Sequence, residues 1–381
     1  MTATTPIEPR GAAIPFFPPD LFEPDRDVVL DLVYRIGTSA QKFILGEHVA
    51  AFEEAIRERT GAAHAVACAS GTGALTLAVD AVGIGPGDEA VVPAFACQPL
   101  ASTIVNRSAT PIFADIDPWT LVMDPASVEE RITPKTKALV PAHTFSVLAD
   151  MSALAEIAKR HGLTVIEDAA VAQGATLNGR PAGLLGDIGL YSFFQVKALG
   201  AIGEGGIVVT DDEELATACR MLRNHGQDGV HRFLHHRVGY NSRMDAVLAA
   251  FLLHRLERFE ERLERRADIA DYYSERFEPL RERGLVAPPK GREGRCYYVY
   301  ALLSDDRDAL RTHLAERGVG THVYYPLPLP DQPAFAAFRD ERHPYPNAVA
   351  AGRRNLALPI WPHLADAQVE HVADSVVAFH A

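Results

Sequence analysis

Three short stretches carry residue types that could do chemistry together. Ser70-Gly71-Thr72-Gly73 follows the β-rich run AVACAS (65–70) and precedes the helical stretch ALTLAVDAVG. A strand, a glycine-rich turn and a helix start make a cradle for a phosphate, because the opening N–H groups are unpaired and the helix dipole favours an anion. The same four residues would also serve as a plain tight turn between strand and helix. Asp168 closes the run LTVIED, where an aspartate acts either as a helix cap or as a pocket carboxylate. Lys197 lies in GLYSFFQVKALGAIGEGG, just past an apolar run and among aromatic residues and glycines, which is not the setting of a surface lysine. Partial burial lowers the pKa of such an amine and makes it a nucleophile. Gly200, Gly203, Gly205 and Gly206 point to a backbone that approaches something closely. A phosphate cradle, a carboxylate that keeps a pyridine nitrogen protonated and an amine that forms a Schiff base are together the parts of a pyridoxal 5'-phosphate (PLP) site.

Those residues need strands that end on one edge. The candidates are AVACAS (65–70), EAVVPAF (89–95), TPIFADI (110–116), ALVPAH (138–143), LTVIED (163–168), IGLYSFF (188–194) and GGIVVT (205–210). Several are nearly continuous apolar runs, as strands covered on both faces require. Helical stretches lie between most of them, starting with patterns over 26–36 and 47–60. The alternation predicts an α/β fold with a mainly parallel sheet, whose pocket lies at the carboxyl ends of the strands. After Asp212 the pattern changes. Residues 244–277 read as one long helix or two joined ones, with Leu252, Leu256, Phe259 and Leu263 on one stripe and Glu261 facing Arg265 as a solvated pair. Further strands are expected at YYVYALLS (297–304) and THVYYP (321–326), in a smaller α+β unit. The organisation expected is an N-terminal arm and first helix (1–35), a large domain (36–250), and a linking helix with a small C-terminal domain (251–381).

The chain has 381 residues, 48% of them hydrophobic, and a formal net charge of −13. That balance argues against broad nucleic-acid or anionic-membrane binding. Cys68, Cys97, Cys219 and Cys296 form no CxxC pair, so a reducing cytoplasm is the expected setting. No basic stretch followed by an apolar core opens the sequence, and no apolar run approaches the length of a membrane span. No GxxxxGK[ST] sequence is present, which disfavours a P-loop nucleotidase, and GIGPGDE (83–89) reads as a turn. His225, His231, His235 and His236 have spacings that could ligate a metal, but no cysteine pair lies near them and the stretch reads as an exposed loop. No metal site is expected.

The residues around the three stretches resemble the DegT/DnrJ/EryC1/StrS family, sugar aminotransferases of PLP fold type I. The matching segments are FILGEHVAAFEEAI, SGTGAL, GIGPGDEAVVPAF, PIFADID, VIEDAAVAQGA, YSFFQVKALGAIGEGGIVVTDDEELA, RNHG, GYNSRMDAVLAA, YPNA and LPIWPHL. They span nearly the whole chain in the family's order. The resemblance implies an aspartate-aminotransferase-like large domain with a seven-stranded sheet. It implies that Lys197 is the Schiff-base lysine and that Asp168 pairs with the pyridine nitrogen. Gly71, Thr72 and Gly73 would hold the phosphate through backbone N–H groups, and Ser192 through its hydroxyl. Asn241 would reach the phosphate in the neighbouring subunit, which requires a homodimer with sites at its interface. Three departures stand out. Cys97 sits where the family places an aromatic over the cofactor ring, with Phe95 two residues earlier as a substitute. Val171 replaces a glutamine that contacts the cofactor's 3′ oxygen, with Gln173 nearby. Tyr324-Tyr325-Pro326 stands where the family often has His-Tyr-Pro.

The activity implied is transfer of an amino group from an amino acid, L-glutamate or L-glutamine, to a keto sugar, foremost a nucleotide-linked keto-deoxysugar. A cyclitol ketone is the alternative acceptor. A sugar dehydratase of the same family would carry histidine in place of Lys197. A non-catalytic PLP-binding regulator would have less need of both Lys197 and Asp168.

Overall fold

The computed structural model describes residues 14–18, 20–39 and 43–381. The proline-rich start of the arm, 1–13, lies outside these residues. Ile14 is bridged to Val319, and the rest of the arm leads through a short 3-10 turn (Glu23–Asp25) into helix α1 (Arg26–Thr38). Arg255 clasps Asp25 and the Leu21 carbonyl, tying this segment to the body.

The seven-stranded sheet is built from β1 (His64–Cys68), β2 (Glu89–Pro93), β3 (Thr110–Ala114), β4 (Thr136–Leu139), β5 (Thr164–Asp168), β8 (Ile188–Ser192) and β9 (Gly206–Thr210). Between β5 and β8 lies a small hairpin, β6 (Thr176–Leu177) and β7 (Arg180–Pro181). The strand order is β1-β9-β8-β5-β4-β2-β3. Only β9 runs against its neighbours, pairing antiparallel with both β1 and β8. The sheet is therefore mainly parallel, as the alternating sequence pattern predicts. Every residue of β8 and β9 is buried, which explains their unbroken apolar runs.

Helices cover both faces. On one, α3 (Gly71–Val82) and α7 (Glu213–Arg223) bury Leu75, Leu77, Val79 and Leu222 against Val208. On the other, α2 (Glu47–Thr60) and α8 (Ala246–Leu256) bury Phe52, Ile56 and Leu252 against Ile207 and Val209. Successive residues of β9 thus feed opposite cores, as strand geometry dictates. The remaining helices of this part are α4 (Pro99–Val105), α5 (Pro125–Arg131) and α6 (Met151–His161). The chain then runs through α9 (Phe259–Phe277) to a three-stranded antiparallel sheet, β10 (Leu285–Val286), β11 (Tyr300–Ser304) and β12 (Asn355–Leu358). Helices α10 (Arg307–Glu316), α11 (Pro346–Arg354) and α12 (Asp366–Phe379) accompany it.

Several expectations are corrected. The long helical pattern is two helices, α8 and α9, and Leu252 and Phe259 of the stripe are fully buried. Arg265 does not pair with Glu261. It reaches Asp366 and the Leu364 carbonyl, while Glu261 takes Arg258. The fourth strand ends at Leu139, before Pro141, which has no N–H to give a ladder. THVYYP contributes no strand, only a bridge from His322 to Ala357; the third strand of the small sheet is NLAL, directly after α11. Among the described residues no helix is long and apolar enough to cross a membrane.

Candidate active site

The carboxyl ends of β1, β2, β5 and β8 open on one cavity of about 390 Å³. Gly71, Thr72, Cys97, Asp168, Val171, Ser192 and Lys197 all line it. The helix cradle is built as its sequence suggests, with one change. Ser70 caps α3, its hydroxyl accepting from the Gly73 N–H at 3.0 Å, so Gly73 is committed to the cap and does not line the cavity. The N–H groups of Gly71 and Thr72 have no partner among the described residues, and the Ser192 hydroxyl lies beside them. Glycine is required at 71 because a Cβ there would stand 2.5 Å from Ser192 Cβ. Gly71→Ala should therefore push the turn and the strand apart. The expected result is about 1–3 kcal/mol less stability, read from the denaturation midpoint, and roughly tenfold weaker PLP binding as phosphate hydrogen bonds lengthen, read by fluorescence titration.

Asp168 ends β5 and is held by the Ala170 N–H at 2.9 Å. Burial raises its pKa, and the Ala170 N–H, Lys197 and His143 act against that rise. Lys197 follows β8 on a turn closed by its own N–H to the Phe194 carbonyl at 2.8 Å. Burial lowers its pKa, opposed by the nearby Cys97, Asp168, Cys296 and Glu204. Burial thus shifts the acid and the amine in opposite directions within one cavity, as in functional sites. The partners fit PLP: two free N–H groups and a hydroxyl for the phosphate, a carboxylate for the ring nitrogen, and an amine for the aldehyde carbon.

Three proposed contacts lie off the cavity. Phe95 is fully buried and packs edge-on against Phe145 and Tyr325, supporting the wall from behind. Gln173 also lies behind the wall, where its amide donates to the Ser192 carbonyl, so it does not take over the contact missing at Val171. Asn241 is exposed, bridged to Asn224, and accepts from Arg243 at 3.0 Å. Its neighbour Tyr240 is anchored inward on Asp80 at 2.7 Å. The loop between Asn224 and Asn241 carries the four histidines. His231 and His236 both bind Asp228, and His235 binds the His225 carbonyl. Among the described residues no cluster of metal-ligating side chains forms.

Sequence reasoning missed two groups. His143 lines the cavity, buried, with Nδ1 accepting from the Ala149 N–H at 3.1 Å and Nε2 therefore donating to Glu167 at 2.8 Å. The signal was a glutamate inside the apolar run TVIED, where a charge needs dedicated partners. The second group is the aromatic wall of Tyr298, Tyr324 and Tyr325. Tyr325 shares a hydrogen bond with Cys97, whose thiol pKa is raised by burial. Tyr298 lies 21 residues past α9 with no local pattern to place it here, whereas Tyr324 and Tyr325 belong to the Tyr-Tyr-Pro segment that departs from the family.

A family model described as the DegT/DnrJ/EryC1/StrS aminotransferase family matches residues 33–377. The chain belongs to this family. It is 42% identical over 354 residues to the pleiotropic regulatory protein of Geobacillus stearothermophilus, covering 92% of this chain and 93% of that one. It is 40% identical over 353 residues to the UDP-N-acetyl-3-dehydro-alpha-D-glucosamine 3-aminotransferase of Acidithiobacillus ferrooxidans, covering 92% and 94%. The crystal structure of S. venezuelae DesV in complex with a ketimine intermediate superposes with a TM-score of 0.91 at 36% identity, covering 96% of this chain and 98% of that one. The fold is thus the PLP fold type I of the DegT/DnrJ/EryC1/StrS aminotransferases.

Proposed function

We propose that this member of the DegT/DnrJ/EryC1/StrS aminotransferases moves an amino group from an amino acid, L-glutamate or L-glutamine, to the keto carbon of a nucleotide-linked sugar, with PLP as cofactor. The observation that carries the reading is Lys197 in one cavity with Asp168, the Ser192 hydroxyl and the free N–H groups of α3. The name of the Acidithiobacillus relative supports the acceptor class. When bound, PLP supplies an electron sink for charge on the carbon next to the transferred nitrogen. Gly71, Thr72 and Ser192 hold the phosphate. Asp168 accepts the ring N–H and is kept in place by the Ala170 N–H. Lys197 Nζ would hold the cofactor at rest and, as the neutral amine, would be the group that takes up the proton from the amino-acid α-carbon.

The protein acts as a homodimer in this reading. Asn241 supports it, being exposed and off its own cavity, on a loop that also exposes Val230, Phe233, Leu234 and Val238. Such a loop suits the phosphate of the partner's cofactor.

Borohydride reduction of the PLP-loaded protein, followed by peptide mass spectrometry, tests the reading. The expected product is a phosphopyridoxyl adduct on Lys197, lost after prior incubation with L-glutamate and restored by a UDP- or dTDP-linked keto sugar. No adduct on Lys197 overturns it. The name of the Geobacillus relative favours a second reading, a PLP-binding regulator. An adduct on Lys197 that no amino donor removes would support that one.

A further inference from the structure

Tyr298 stands on the segment that enters β11, and its ring lies against the lysine. Lys197 Nζ is 4.3 Å from the ring centroid. The ring is buried, and its hydroxyl shares a hydrogen bond with Tyr324, so it is clamped at both ends. Among the described residues Nζ has no hydrogen-bond partner, which leaves the aromatic face as its direct contact.

We propose that Tyr298 is the seat of the Lys197 ammonium that forms once the released amine has taken up a proton. It is a positioning residue that holds the free ammonium in the cavity through its ring face. The proposal rests on the reading of Lys197 as the cofactor-bearing lysine. The physical need is plain. A lysine side chain is a charged point on a flexible four-carbon stem, and once released it must stay within reach of the atoms whose proton it moves. The charged and titratable groups that face it are Cys97 after β2, Asp168 at the end of β5, Glu204 before β9 and Cys296 before β11. All favour the ammonium through space, and burial opposes it. An aromatic face attracts an ammonium and has little hold on a neutral amine. Tyr298 therefore stabilises the ammonium that results when the released amine takes a proton, and holds it until the proton is passed on. It also fixes where the charge sits, between the two sheets that meet at the cavity.

The ring and the hydroxyl are separable. Tyr298→Phe keeps the face and loses the bond to Tyr324. Tyr298→Leu loses the face, and Tyr298→Met is a second ringless variant of similar reach should the leucine protein fail to fold. The full-length chain, freed of cofactor, is labelled with acetic anhydride across a pH series, and the Lys197 peptide is quantified by mass spectrometry. The expected labelling midpoint is nearly the same in Tyr298→Phe as in the parent. It falls by about 0.5–1.5 units in the ringless variants. In the loaded enzyme the same variants should lower kcat with little change in KM for the amino donor. A ringless variant that labels at the parent midpoint overturns the seat, as does a Tyr298→Phe protein that shifts as far as the ringless ones. The borohydride adduct judges the underlying reading separately. An adduct with no midpoint shift removes the seat alone, and a midpoint shift with no adduct removes the role of Lys197 alone.

Discussion

Lys197→Ala should lose amino transfer by a factor on the order of 10² to 10⁴, the range in which a positioned acid–base group contributes. The cofactor should still bind, because the phosphate cradle at Gly71, Thr72 and Ser192 and the carboxylate of Asp168 are untouched. What disappears is the group that moves the proton, and the thiol, phenols and imidazole around it are poor replacements. The Cys97 thiol is displaced upward in pKa by burial and shares a hydrogen bond with Tyr325. The phenols of Tyr298 and Tyr325 are pushed well above the usual tyrosine range by burial, so neither serves as a base near neutrality. The His143 ring has both nitrogens engaged, one by the Ala149 N–H and the other by Glu167. Lys197→Arg should not rescue, since a guanidinium does not give up its proton. Single-turnover conversion with L-glutamate is the measurement. A Lys197→Ala protein within tenfold of the parent would remove Lys197 from the chemistry.

The parts of the site legible in the sequence are those where a local rule has one physical solution. Strands covered on both faces write themselves as apolar runs, so β5, β8 and β9 could be placed, and the residues at their ends, Asp168 and Ser192, came with them. A glycine run between strand and helix announced the anion cradle. The local rule did not say which N–H the capping serine would take, and Ser70 takes that of Gly73. The less legible parts depend on direction and on distant chain. Phe95 and Gln173 are near Cys97 and Val171 in sequence, yet both pairs lie in irregular turns past the ends of β2 and β5, where no fixed period sets the side a residue faces, and both stand behind the wall. THVYYP has strand composition, but NLAL holds the place beside β11, which leaves His322 only a bridge. Tyr298 reaches the cavity because the small sheet packs over the end of the large one, a tertiary fact with no local signature. The fold class, the family and the wall positions Cys97 and Val171 were therefore readable, while His143 and Tyr298 were not.

Glu167→Ala should be the most destabilising single change near the cavity, costing about 3–5 kcal/mol, the range for breaking a buried charged hydrogen-bonded group. Glu167 is the penultimate residue of β5 and has no solvent exposure. One of its oxygens accepts from the Gly183 N–H at 2.6 Å and from His143 Nε2 at 2.8 Å. The other accepts from the N–H groups of Leu185 at 2.7 Å and Gly186 at 3.0 Å. Four donors thus converge on one carboxylate, and alanine strands them all in a dry interior, at about 1–3 kcal/mol for each donor that neither water nor a shift of the loop recovers. Glu167→Gln should fall between, because its amide oxygen can serve one pair of donors while its NH2 confronts the other pair. The loss also reaches the site. Without its acceptor, the His143 ring is no longer fixed in the cavity wall, and the 183–186 turn that leads into β8 loosens behind Ser192. Denaturant midpoints should rank parent above Glu167→Gln above Glu167→Ala, with PLP affinity falling in the same order. If Glu167→Ala unfolds within about 1 kcal/mol of the parent, water has entered and satisfied the stranded donors, and the carboxylate is not what holds this edge of the cavity together.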